Sequence, residues 1–202
     1  MSPMSKARVD TVHHTMEKAE AALKRGAWFE AERLACKALA AARLDDDFDA
    51  MARILLPLQE TRRQRLATAF EHRKVRIVEA AVTEQDQVPP GIHVIEPPLV
   101  GADARRLRLL ALEQETAVAV ICREPITRLN ECPIVAIGPV TIRTRIAPPR
   151  RPEAPTAKWV AGALEQLGDR AIEDLDPGQD LLKRIDHLIN CLETHPDHEK
   201  LH

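Results

Sequence analysis

Aromatic residues are scarce in this sequence: they make up 2% of the 202 residues, and tyrosine is absent. Recognition of bases or sugars by stacking on ring faces therefore has few platforms to use. Cysteine is sparse as well. Cys36, Cys122, Cys132 and Cys191 form no CxxC pair, which argues against both a zinc ribbon and a disulfide-dense secreted scaffold. No apolar run reaches the ~20 residues of a membrane span, and the start Met1-Ser2-Pro3-Met4-Ser5-Lys6 lacks the apolar stretch of a signal peptide. A reducing cytoplasm, away from membranes, is the expected setting. An excess of one charge is also missing. The 29 Lys plus Arg and 31 Asp plus Glu leave a net charge of -2, too weak a field to gather nucleic acid or an anionic membrane, so neither is an expected partner. What the chain does have is 45% hydrophobic and 30% charged residues, enough to bury a core in one or two domains.

Residues 1–73 follow a helical period. Val12, Met16, Ala19 and Leu23 fall on one face of a first helix, which Gly26 ends. A second helix carries Trp28, Ala31, Leu34, Ala35, Ala38, Leu39 and Ala42, whose small side chains allow a neighbour to approach closely. The two form an antiparallel hairpin. Asp45, Asp46 and Asp47 suit the positive start of a third helix with Phe48, Met51, Ile54, Leu58, Leu66 and Phe70, which Pro57 is expected to kink or split.

The run Gly26-Ala27-Trp28-Phe29-Glu30-Ala31, followed by Ala38-Leu39, resembles one tetratricopeptide repeat in the spacing of its turn glycine and two small packing residues. The resemblance covers about a quarter of the chain. Thr15, Lys18 and Ala19 depart from it where a large residue and a Leu-Gly pair belong, and Arg43 stands in place of a closing proline. It implies partner binding along a helical groove. Such units stack in about three copies to bury their faces, and no second copy is evident, so a lone hairpin that docks on the rest of the chain or dimerises is expected.

Residues 74–150 change character to short β-branched runs: 75–78, 92–95, 117–121, 134–137 and 140–146. One helical segment from Asp103 to about Glu115 interrupts them, with Leu107, Leu110 and Leu112 inward and Asp103 as its N-cap. Strand, helix, strand at that spacing predicts a right-handed parallel crossover and an α/β fold with a small, partly parallel sheet. Gly138-Pro139 makes either a tight hairpin or a bulge in one bent strand. Residues 151–202 then hold a linker and two amphipathic helices. Pro148 to Pro155 reads as a stiff proline-rich link, Thr156 as the cap of a helix with Trp159, Val160, Ala163, Leu164 and Leu167, and Asp176-Pro177-Gly178 as a turn. The last helix, with Leu181, Leu182, Ile185, Leu188, Ile189 and Leu192, must be buried on the body or on a second subunit.

Ligands in open α/β sheets gather at the carboxyl ends of parallel strands, here the loops Glu96 to Asp103 and Cys122 to Arg128. Gly101 and Ala102 would admit an anion to the start of the helix that Asp103 caps, with Arg123 or Arg128 as a charged clamp. Glu96 or Glu124 would serve as acid or base. A capped helix and a plain loop require the same residues, and the segment is neither GxGxxG nor a P-loop. Cys122 beside Arg123 is a small buried hydrophobe before it is a nucleophile, and Cys36 is explained by packing alone. His187 and Cys191 share a helix face in a spacing that suits zinc, but Pro196 breaks the pattern and the tail His195 to His202 reads as solvated, so no metal is expected. Arg62, Arg63, Arg65, Arg73, Lys74 and Arg76 form a basic cluster with no interleaved aromatics.

No catalytic motif emerges, and the sequence names no cofactor. The expected function is a non-catalytic interaction or adaptor protein that binds a protein partner or itself as a homo-oligomer. The alternative is a small-molecule-binding or enzymatic α/β domain with an anion site at the crossover-helix start.

Overall fold

In the computed structural model the described residues are 3–202, with side chains described from Thr11 onward. Two compact units divide the chain, Met1–Arg65 with His202 and Leu66–Leu201. The fold is α/β: three helices, a mixed five-stranded sheet with a crossover helix, then two further helices.

The first unit holds α1 (Pro3–Lys24), α2 (Trp28–Leu44) and α3 (Phe48–Glu71) up to Arg65, the last residues of α3 belonging to the second unit. Small residues dominate the buried surface of the α1–α2 pair, including Ala19, Ala22, Ala31, Ala35, Ala38 and Ala42. The Asp47 carboxylate accepts from the Ala50 amide at 2.9 Å, so the acidic run starts α3 as its chemistry suggests. Pro57 does not split α3, which runs on as one helix. The Thr61 hydroxyl donates to the Pro57 carbonyl at 2.7 Å, one turn later.

A buried charge cluster joins α2 to α3. Glu32 is 5% exposed, and its carboxylate accepts from Arg62 Nε at 2.9 Å and from Arg65, themselves 7% and 5% exposed. The Arg65 guanidinium also lies 5.0 Å over the Phe29 ring. Two members of the basic cluster thus serve packing between helices.

In the second unit the sheet runs β1 (Val75–Val78), β2 (Gly91–Ile95), β3 (Val118–Arg123), β4 (Cys132–Ile137), β5 (Thr141–Ile146) in spatial order. The first three are parallel and the last two antiparallel. The β4–β5 connection through Gly138 and Pro139 is a hairpin, closed by the Gly138 amide on the Val140 carbonyl at 3.0 Å. A second parallel connection, β1 to β2, carries no helix. Its segment is pinned instead by Gln114, whose side chain accepts from the Val88 amide and donates to the Asp86 carbonyl.

The crossover helix α4 (Gly101–Glu113) packs Ala104, Leu107, Leu110 and Ala111 against Ile95, Val118, Cys122 and Val135. Each buried leucine is worth ~1.5 to 3 kcal/mol. The helix starts earlier than the sequence suggests, with Val100 as its N-cap, and Asp103 reaches back from the first turn to accept from the Val100 amide at 2.9 Å. Ala111 rather than Leu112 is fully buried.

Helix α5 (Ala157–Glu173) is capped by Thr156, which accepts from the Trp159 amide, and packs on β4 and β5. Helix α6 (Leu181–Thr194) begins at Asp180, whose carboxylate accepts from the Leu182 amide. The C-terminal tail is not solvated. His195 and His198 are 4% and 1% exposed. The His195 Nε2–H donates to the Leu164 carbonyl at 2.8 Å, and a Cβ on Gly168 would lie 2.1 Å from the His198 ring. A missing side chain on α5 makes the berth for that imidazole.

Candidate functional site

The two loops at the carboxyl ends of β2 and β3 are neighbours through one ion pair. Arg123, buried on the face opposite Cys122, donates to the Glu96 carboxylate and to the Pro152 carbonyl. It therefore holds the proline-rich bend to the sheet. Glu124 pairs instead with Arg143 of β5, and Arg128 is exposed in the turn that follows. Gly101 is packed rather than open, since a Cβ there would sit 2.8 Å from Ile137. Ala102 is exposed, and Asp103 places its own carboxylate at the start of α4, where it also pairs with Arg106 at 3.2 Å. A resident anion at a helix start diminishes the field that an anionic ligand would use.

Ala102, Glu124 and the pair Gly101 and Cys122 line separate concavities. Ala102 borders a cleft of about 660 Å³ between α4 and the β1–β2 connection, where Arg105 and Arg106 face Glu84 and Glu113. Glu124 borders another of about 370 Å³ with Arg143 and Arg145. Gly101 and Cys122 share only a void of about 30 Å³, room for a water or two. Strand order explains the separation: β1, β2 and β3 follow one another without reversal, so the parallel part of the sheet has no switch point to open a crevice. The buried Cys122 thiol is pushed up to about 12, first by burial and then by Glu124 and Asp103, so it is no thiolate nucleophile near neutral pH.

The metal-type donors that the structure brings together are Glu165, Asp169 and His198, rather than His187 and Cys191. His198 Nε2 lies 3.4 Å from Asp169 and 3.7 Å from Glu165. The Lys200 ammonium already bridges the two carboxylates, at 2.6 Å and 3.0 Å. This hydrogen-bonded pairing holds the Asp169 carboxyl below its usual range and the Lys200 ammonium above its own. The cluster fastens the tail to α5.

Two further surfaces stand out, the first absent from the reading of linear motifs and the second expected from the apolar period of the last helix. One is a groove of about 620 Å³ between the proline-rich bend and the first turns of α5. Pro148, Pro149, Arg150, Arg151, Lys158 and Trp159 line it with other side chains, and no described carboxylate does. The cue in the sequence was a cationic run around prolines just before a helix cap. The other surface is the apolar stripe of α6, where Cys191 and Leu192 are buried, Ile185, Leu188 and Ile189 half-buried, Leu182 41% exposed and Leu181 61% exposed. Only its carboxyl-terminal end is covered. No family model, curated protein or solved structure matches this chain.

Proposed function

We propose that this protein is a non-catalytic interaction or adaptor protein that self-associates, a second copy covering the open half of the α6 stripe. The observation that carries this reading is the gradient of burial along α6, from Leu192 at 4% exposed to Leu181 at 61%. A run of leucine and isoleucine left half in water is a contact surface in search of a neighbour. Charge along the helix favours another α6 running antiparallel. Lys183 and Arg184 lie near its amino-terminal end and Glu193 near its carboxyl-terminal end, against the helix's own dipole. Asp180, engaged as the cap, and Asp186 lie in the same half as the two cations, so the charge contribution is small. An antiparallel partner would set Lys183 and Arg184 beside the partner's dipole-negative end and Glu193, and the two-fold symmetry makes one patch complementary to itself.

The α1–α2 hairpin, taken as a single tetratricopeptide-like unit, supplies a further surface for a protein partner. The buried Ala31 and Ala38 at its close packing positions support this reading. Four free thiols, and no described helix long and apolar enough to cross a membrane, fit a reducing cytoplasm.

Mass in solution tests the proposal. Light scattering coupled to size exclusion is expected to give twice the chain mass for the wild type. Leu182→Asp, at an exposed position, is expected to give the single chain mass with the helical circular dichroism of the wild type, and to melt lower only by the stabilisation that association contributes. A wild-type protein that runs as a monomer at all concentrations overturns the reading.

A further inference from the structure

We propose that the groove between the proline-rich bend and α5 binds a small organic phosphate of the nucleotide type, its phosphates on Arg150, Arg151 and Lys158 and its planar body against Trp159 and the prolines. The volume, about 620 Å³, is within the usual range of about 300 to 1,000 Å³ for sites that enclose such molecules. Its walls combine the two features that such a ligand needs. Three cations converge on it with no described carboxylate in the lining, in a protein whose net charge is only -2. None of the three takes part in any described ion pair, whereas Arg123, Arg143, Arg145 and Arg170 are all paired with carboxylates. Unpaired guanidinium groups beside one another suit the forked oxygens of a phosphate.

Apolar surface flanks the charge. Trp159 is one of only two tryptophans in the chain, and it is half-buried in the groove wall. Its indole N–H donates to the Ala147 carbonyl at 3.0 Å, which fixes the ring against the bend and leaves its surface as a platform. The opposite wall is held in place as well. Arg123, nearly buried, ties the Pro152 carbonyl to the sheet and to Glu96, so the bend that carries Arg150 and Arg151 is positioned before any ligand arrives. The start of α5 adds little of its own, because Thr156 already accepts the Trp159 amide. The charge comes from side chains.

The test is calorimetric titration of the full-length protein with ADP, adenosine and pyrophosphate, beside thermal melts, which rise when a ligand binds the native state alone. ADP is expected to bind saturably. Adenosine is expected to bind at least about tenfold more weakly, which is the loss of one charge-assisted contact or more. Pyrophosphate reports the cations alone and falls between them. The double variant Arg151→Ala with Lys158→Ala, both exposed positions, is expected to lose about tenfold or more for ADP and pyrophosphate while melting as the wild type does. Trp159→Leu is expected to weaken ADP and spare pyrophosphate. No saturable binding of ADP or pyrophosphate at about 5 mM overturns the proposal, as does an ADP affinity that the double variant leaves intact. A single-stranded oligonucleotide that binds more tightly than ADP, through the same two residues, replaces the small ligand by nucleic acid. The Leu182→Asp variant is expected to keep its ADP affinity, so this site and the α6 contact fail or stand separately.

Discussion

Removing the Glu32 carboxylate should cost the helical unit more than any other single change to a charge. Glu32 is buried between Arg62 and Arg65, which reach it from α3, and all three are below a tenth exposed. Replacing it by alanine leaves two guanidinium groups inside the unit with no carboxylate between them. Breaking a buried pair from one side costs about 3 to 5 kcal/mol, because the carboxylate that offset the lost hydration of the remaining charges is gone. The stacking of Arg65 on Phe29 retains part of that arginine's stabilisation, at about 0.5 to 2 kcal/mol, so the lower half of the range is expected. For a unit of this size each kcal/mol moves Tm by ~4 to 8 °C, so helical circular dichroism should melt at least ~12 °C lower in Glu32→Ala. Salt discriminates the cause. A buried cluster is poorly screened, so the deficit should persist at about 0.5 M NaCl, where an exposed pair loses its effect. Replacing all three members together, with Glu32→Leu, Arg62→Met and Arg65→Leu, should recover most of the loss, since well-packed apolar side chains match or exceed such clusters. A Glu32→Ala deficit below about 1 kcal/mol would refute the reasoning, because it would mean that water reaches the cluster.

Gly168→Ala should destabilise the second unit by about 1 to 3 kcal/mol by driving a methyl group into the His198 ring, and limited proteolysis should then cut the tail after Thr194, which it spares in the wild type. Stability should also fall on mild acidification. Burial holds the His195 and His93 imidazoles below their ordinary range, so the unfolded chain binds protons first, near pH ~6.5; stability is full above that value and declines as pH falls through it toward the folded values. A urea midpoint that is the same at about pH 7.5 and about pH 5.5 would count against this. Thiol labelling of the native protein near pH ~8 should modify Cys36 alone, because Cys122, Cys132 and Cys191 are buried with their thiols pushed up by burial. Two or more fast-reacting thiols would contradict the burial of these three.

The elements were legible because their signals are local. A period of apolar residues marks each helix, β-branched runs mark the strands, and Asp47, Thr156 and the Gly138-Pro139 turn act within a few residues of their place in the sequence. The parallel crossover through α4 follows from strand, helix and strand at their observed spacing. The uses to which polar side chains are put depend on partners far along the chain. Arg123 was a candidate ligand clamp until Glu96 and the Pro152 carbonyl, 27 and 29 residues away, were seen to engage it. The histidines of the tail read as solvated because their sequence is polar, yet they are buried through two features of α5, the Leu164 carbonyl that accepts from His195 and the missing side chain of Gly168. A short polar segment carries no apolar period to announce burial, so only its neighbours can reveal it. Pro57 stayed within α3 for the related reason that packing on one face of a long helix outweighs the loss of a single backbone hydrogen bond. The sequence by itself determined which segments are helix and strand, and that α6 has an apolar face. Tertiary structure alone decided how much of that face is covered, that three cations and a tryptophan share one groove, and that the loops at the strand ends do not, because each of these depends on strand order and long-range contact rather than on spacing in the chain.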